Sequence, residues 1–397
     1  MHVFCANYTG EFTDVINVGS YNYLGFSHND GPCAQRAIAQ IEQHGVSSAS
    51  IPNEFAAFKI QYELEQQLAQ FVGCEDAIVC PMGFGTNSMN LPAIANENTL
   101  VLSDELNHAS LVLGLRLSKA KVVVFKHNNA KNCEFKLRNA LAEYIHKNGK
   151  SPSKILIVVE GIYSMEGTIT DLPSFIEVKK RNKAYLFVDE AHSIGALGPR
   201  GRGVVDYWGC NPRDIDVLMG TLTKSFASAG GYIAGSKALI GYLRNNSAVY
   251  NYGTAMSPAL VGQISEALRI ICGEDGTTTG QEKIQRLLRN SRYFRKRIQQ
   301  LGFLIYGQED SPVVPIMTFF ISKVVATGRE ALKYNLGLIA VGFPATAITK
   351  ARARVCLSAD HTKEQLDQVL NILDIIGDKM NIKYGKNPFP DGYIVEY

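Results

Sequence analysis

The sequence predicts an α/β protein: a large domain around a mostly parallel seven-stranded sheet, with a smaller α+β unit following it. Three observations carry this expectation. Short β-branched runs alternate with helical patterns, at Ala77–Cys80, Thr99–Leu102, Lys121–Phe125, Lys154–Val159, Ala184–Val188, Val217–Met219 and Gly231–Ala234, as in parallel strands joined by crossover helices. After about Ser257 that rhythm is replaced by long helices and fewer strands. The chain of 397 residues, 46% apolar and 19% charged, is long enough for two or three domains whose cores need no metal or disulfide.

Each element follows from its own pattern. Cys33–His44 places Ala37, Ile38 and Ile41 on one helical face and ends at Gly45; Tyr62–Phe71 does the same with Leu64, Leu68 and Phe71 before Gly73. Beyond Ser257 the reading is helix Gln281–Leu301, strands Val313–Ile321, Gly337–Val341 and Arg352–Leu357, then helix Lys363–Met380. The first of these helices carries Arg286, Arg289, Arg292, Arg295, Lys296 and Arg297, but Leu287, Leu288, Phe294, Ile298 and Leu301 oppose them. A solvated amphipathic helix explains this better than a nucleic-acid stripe.

Composition narrows the partners. Forty basic against 37 acidic side chains give a formal charge of +3, with no electrostatic footprint for nucleic acid. Cysteines 5, 33, 74, 80, 133, 210, 272 and 356 are scattered without metal-ligand spacing, which fits free thiols in the cytoplasm and no metal site. No run approaches the length of a transmembrane segment, and the first twenty residues lack a signal pattern.

The strongest chemical signal is AYLFVDEAHS, where an apolar run delivers Asp189, Glu190 and His192 just beyond a strand, the place where open α/β sheets bind ligands. An acidic pair there also suits a nucleotide-driven motor, which requires a G-x-x-x-x-G-K-S/T loop. The sole Gly-Lys-Ser, 149–151, has Tyr144 at the first glycine position, so that reading fails. In GTLTKSFASAGG, Lys224 lies among small residues. Paired with Asp189 it meets the needs of pyridoxal phosphate (PLP): a lysine for the Schiff base and a carboxylate for the pyridinium nitrogen. A phosphate seat is offered where a strand runs into Met82-Gly83-Phe84-Gly85-Thr86 at a helix start, although an ordinary strand-to-helix turn reads equally well. His108, in SDELNHAS, follows another strand and could lie against a flat ring.

Together these pieces resemble the α-oxoamine synthases, a branch of the fold-type I PLP-dependent transferases (aspartate aminotransferase-like), and most of all their serine palmitoyltransferase group. The resemblance spans nearly the whole chain through NVGSYNYLGF (17–26), LSDELNHASLVLG (102–114), VEGIYSMEGTITDLP (159–173), VDEAHSIGALGPRGRGV (188–204), GTLTKSFASAGGYI (220–233), EDSPVVP (309–315), and VGFPAT with RARVCLSADHT (341–362). It implies an N-terminal segment, 1–44, packing with the small domain, a PLP-binding domain over 45–256 and the small domain over 257–397. It implies that Lys224 holds the cofactor covalently, Asp189 pairs with the ring nitrogen, His192 bonds the phenolic oxygen and His108 stacks on the ring. Gly83 and Phe84 would hold the phosphate, with Thr221 and Ser164 completing the pocket and Thr254 reaching the neighbouring subunit's phosphate. Arg354 would anchor the amino-acid carboxylate, beside Tyr21 and Ser47 as further substrate contacts.

The implied reaction condenses L-serine with a long-chain acyl-CoA, palmitoyl-CoA in the family, releasing CoA and CO2 and leaving 3-ketosphinganine. The alternatives are a synthase using alanine or glycine, or a regulatory subunit without activity. Ser20-Tyr21-Asn22-Tyr23-Leu24-Gly25 favours serine, since alanine- and glycine-using relatives tend to read S-N-D-Y-L-G. Two departures qualify the resemblance. Segment 45–61 needs one inserted residue, with Ala56 and Gln61 near the family's glycine and histidine positions. Only sixteen residues precede NVGSYNYLGF, where eukaryotic catalytic subunits carry a membrane-associated segment. The expectation is therefore a soluble cytoplasmic homodimer with shared active sites and at most peripheral membrane contact.

Overall fold

A computed structural model describes residues 13–56, 58–343, 345–390 and 392–397; Cys5 lies outside them. Its strands are β1 (Ile16–Asn17), β2 (Asp76–Cys80), β3 (Thr99–Asp104), β4 (Lys121–Phe125), β5 (Lys154–Glu160), β6 (Tyr185–Asp189), β7 (Val217–Thr221), β8 (Gly231–Gly235), β9 (Val313–Phe319), β10 (Leu336–Gly337), β11 (Ile339–Val341) and β12 (Ala351–Cys356). Seven of them form the central sheet in the order β2-β8-β7-β6-β5-β3-β4. Neighbours are parallel except that β8 runs against both β7 and β2. Alternate residues feed two apolar layers: Val101, Leu156, Val158 and Phe187 face one way, and Leu100, Leu102, Ile157 and Leu186 the other. Burial on both faces explains why these strands read as continuous apolar runs.

Strand order positions the site. The chain reaches the edge at β4 and returns to place β5 beside β3, so the connections diverge on either side of the β3–β5 pair and open a crevice at their carboxyl ends. His108, Glu160, Asp189 and Thr221 lie at or just beyond the carboxyl ends of β3, β5, β6 and β7. Because β8 is antiparallel to β7, the 222–230 connection carrying Lys224 turns back over the same end.

The second sheet, β11-β12-β9, is antiparallel, while β1 and β10 make a separate parallel pair. The helix Gly31–His44 packs on the helix Pro258–Cys272. The expected single strand Gly337–Val341 is divided: β10 and β11 join different sheets, with Leu338 between them. The chain expected to continue β9 to Ile321 instead begins a helix, Ile321–Lys333. Its apolar residues Ile321, Val324, Val325 and Leu332 have helical spacing, but the β-branched residues among them imitate a strand. No helix among the described residues is long and apolar enough to cross a membrane.

Candidate active site

At the carboxyl end of the sheet, a cavity of about 380 Å³ is lined by Tyr21, Gly83, Phe84, Asn87, His108, Glu160, Ser164, Asp189, His192, Thr221 and Lys224 among others. Residues as far apart in the chain as Tyr21 and Lys224 are therefore brought together. Arg354 backs the Tyr21 side of the wall, its guanidinium carbon 4.7 Å from the centre of the Tyr21 ring and one amino group donating to the Tyr21 hydroxyl. Ser47 and Thr254 do not line this cavity. Both are exposed, and their segments are tied together: Ala255 N–H donates to Ser50 O at 3.1 Å and Ser257 Oγ to Val46 O at 2.7 Å. As a contact within the same chain's pocket, Ser47 is thus displaced onto a surface ridge shared with Thr254. The Gln61 side chain braces that ridge by accepting from Met256 N–H at 3.1 Å.

Asp189 is buried and doubly held. Its Oδ2 accepts from Asn87 Nδ2 at 2.7 Å and its Oδ1 from Ala191 N–H at 2.8 Å. Asn87 was not legible as a site residue. It sits one turn into the helix Gly83–Ile94, where Thr86, Ser88 and Asn90 are equally polar and equally buried, so no local signal set it apart.

Lys224 is half-buried, with its ammonium 5.5 Å from the Tyr21 ring centre. Burial lowers its pKa to about 8 against the opposing pull of Asp189 and Glu160. Burial, reinforced by Lys224 and Arg354, also keeps His192 well below the usual imidazole range. His192 Nδ1 lies 2.7 Å from the hydroxyl of buried Tyr23. Burial holds that phenol protonated, so it can donate to Nδ1 and leave the ring's proton on Nε2. Tyr23 thus orients the His192 ring, a role hidden from sequence reading because its partner lies 169 positions away.

His108 caps the helix Ala109–Leu117 by accepting from Ser110 N–H, and its Nδ1 is 2.8 Å from Ser110 Oγ. Its own pKa is lowered by burial, with Asp189 opposing the shift. The two arginines of the RAR segment differ sharply. Arg352 is bonded to Met165 O at 2.6 Å and paired with Glu166 at 3.1 Å. Arg354 is buried and its Nε has no partner; among the described residues no carboxylate pairs with its guanidinium.

A half-buried lysine and an anchored aspartate sharing a crevice at the carboxyl end of a mostly parallel sheet are the arrangement of a fold-type I PLP-dependent enzyme. The model of the family "Aminotransferase class I and II" matches residues 13–373. The chain belongs to that family, within its serine palmitoyltransferase group. It is 56% identical to serine palmitoyltransferase 3 of Caenorhabditis elegans over 97% of this chain and 75% of that one. It is 48% identical to serine palmitoyltransferase 3 of Homo sapiens over 96% and 70%. Among solved structures, Sphingomonas wittichii serine palmitoyltransferase superposes with a TM-score of 0.85 at 26% identity, covering 93% of this chain and 88% of that one. A high-resolution structure of SPT with a PLP internal aldimine gives 0.85 at 27%, covering 93% and 89%.

The cofactor is pyridoxal 5′-phosphate, and the pocket fits it. The helix Gly83–Ile94 has no side-chain cap, so its first amides remain free for an anion. A Cβ on Gly83 would fall 2.7 Å from Thr221 Oγ1 and 3.2 Å from Gly230 O, so a glycine is what lets this backbone approach Thr221.

Proposed function

We propose that this chain catalyses the PLP-dependent condensation of L-serine with a long-chain acyl-CoA, giving 3-ketosphinganine, CoA and CO2. The observation that carries the reading is the convergence of Lys224 and Asp189 on one cavity, whose Tyr21 wall is bonded from behind by an Arg354 without an acidic partner among the described residues. When bound, PLP supplies an electron sink for negative charge developing at the amino-acid α-carbon. Asp189, fixed by Asn87 and Ala191, holds a proton on the ring nitrogen. His192 directs its Nε2 proton at the ring oxygen, and His108 covers one ring face. The free first-turn amides at Gly83 and Phe84, with the Thr221 hydroxyl, hold the phosphate, and Ser164 closes the wall. Arg354 takes the serine carboxylate in a bidentate grip and sets which α-bond stands across the ring. Tyr21, bonded to that guanidinium, borders the same space. With a pKa near 8, the Lys224 amine is accessible as a base at neutral pH and can take the α-proton.

The same reading includes a dimer of two copies sharing sites. Its support is the joined ridge of Ser47 and Thr254 beside apolar side chains left in solvent, with Tyr252 84% and Val46 65% exposed and Phe84 41% exposed at the cavity mouth. A partner placed there would bring Thr254 toward the neighbouring phosphate and Ser47 toward the neighbouring substrate. The division into segment 1–44, PLP-binding domain 45–256 and small domain 257–397 remains part of the proposal. Seven free cysteines among the described residues support a cytoplasmic setting. The test is titration of the PLP-loaded protein with serine, alanine and glycine while following cofactor absorbance, then mass analysis of products from a panel of acyl-CoAs. Serine should shift the spectrum and yield a long-chain 3-keto base. A response to alanine or glycine alone would overturn the substrate assignment.

A further inference from the structure

Glu160 ends β5 directly beside Asp189, its registered partner at the end of β6. Residues in register on adjacent parallel strands project to the same side, and both carboxyl groups line the cofactor cavity. Two buried carboxyls this close do not readily carry two charges, and their surroundings differ. Asp189 accepts from two donors, one on each oxygen. The Glu160 carboxyl receives one, from the backbone N–H of His108 to Oε1. We propose that Glu160 is a positioning residue, a neutral carboxylic acid that pins His108 in place and leaves Asp189 as the carboxyl of the pair that meets the cofactor ring.

The groups facing Glu160 agree with this. Burial raises its pKa well above the ordinary carboxyl range, and Asp189 on β6 and Asp104 on β3 push it further; the His108 N–H and Lys224 oppose them. Backbone contacts fix its place, since the Tyr163 hydroxyl accepts from Glu160 N–H at 3.1 Å and the Thr170 hydroxyl donates to Glu160 O. An ionised Glu160 would compete with Asp189 for the proton-binding edge of the cofactor and would neutralise the charge of Lys224.

This inference rests on the assignment of Asp189 to the ring nitrogen, and the test separates the two. Wild type, Glu160→Gln, Glu160→Ala and Asp189→Asn are compared for PLP affinity by absorbance titration and for melting temperature of the apo-protein between pH 5 and 9. A raised folded-state pKa contributes stability that is complete below the unfolded carboxyl pKa and lost as pH rises toward the folded value. Wild type should therefore lose stability with rising pH more steeply than Glu160→Gln, which cannot ionise. Glu160→Gln should keep PLP affinity within about twofold and Glu160→Ala should lose about tenfold, the scale of one charged or buried hydrogen bond. Equal pH slopes for wild type and Glu160→Gln, or a Glu160→Gln affinity as poor as that of Glu160→Ala, would overturn the proposal. If Glu160→Ala does not fold, the two pH slopes decide. An Asp189→Asn protein with unaltered affinity and cofactor spectrum would instead overturn the Asp189 assignment, leaving the Glu160 slopes to be read separately.

Discussion

At Lys224 the surroundings tune an ordinary amine. Desolvation brings its pKa to about 8, and only the unprotonated form can attack the cofactor's aldehyde. Loading of apo-protein with PLP should accelerate as pH rises and level off above about 8, as followed by stopped-flow absorbance; a rate flat from pH 6 to 9 would contradict that environment. The lysine, Asp189 and His192 were legible because each follows a strand within a distinctive local string. Asn87 and Tyr23 were not, because their significance lies in partners 102 and 169 positions away. Asn87→Ala should weaken PLP binding about tenfold, as expected for a hydrogen bond of roughly 1.5 kcal/mol to a charged group; unchanged affinity would show that Ala191 suffices to hold Asp189.

Helices and strands transmit these effects through their ends. The helix Gly83–Ile94 can bring its free amino-terminal amides close to Thr221 because residue 83 lacks a Cβ. Gly83→Ala should push the first turn away from Thr221. The expected outcome is a drop in PLP affinity of about tenfold or more with helical content unchanged by circular dichroism, since the first turn contributes the anion contacts. Retained affinity would show that the turn relaxes without loss. The central strands were readable from the sequence because double-sided burial demands apolar runs. The carboxyl-terminal elements were less so. One residue, Leu338, changes the chain from one sheet to another, and no local periodicity marks a switch that short. The helix Ile321–Lys333 was obscured by Val324, Val325 and Thr327, residues whose intrinsic preference is for strands.

For the whole molecule, the proposed sharing of sites between two copies rests on the surface that holds Ser47 and Thr254. Tyr252 projects beside it with 84% of its surface in solvent. Tyr252→Asp should convert dimers to monomers in sedimentation velocity, because a charge would lose its hydration in a closed interface. A Thr254→Ala chain mixed with a Lys224→Ala chain should recover activity in no more than half of the mixed sites, because each complete site would draw on both chains. Full independence of the two defects would argue against sharing. This level was the least legible: the sequence presents 47 and 254 as separate polar positions, and only folding joins their segments.

The β10–β11 switch closes a circuit through the molecule. From β1 the path crosses to β10, passes Leu338 into β11, and reaches Arg354 opposite Ile339. Tyr21 returns it to the segment that follows β1. Every link but the last is made by backbone pairing or chain continuity. The Arg354 guanidinium is thereby braced by a segment lying more than three hundred positions upstream, and a change at residues 16–21 should be felt at Arg354 without altering a residue beside it.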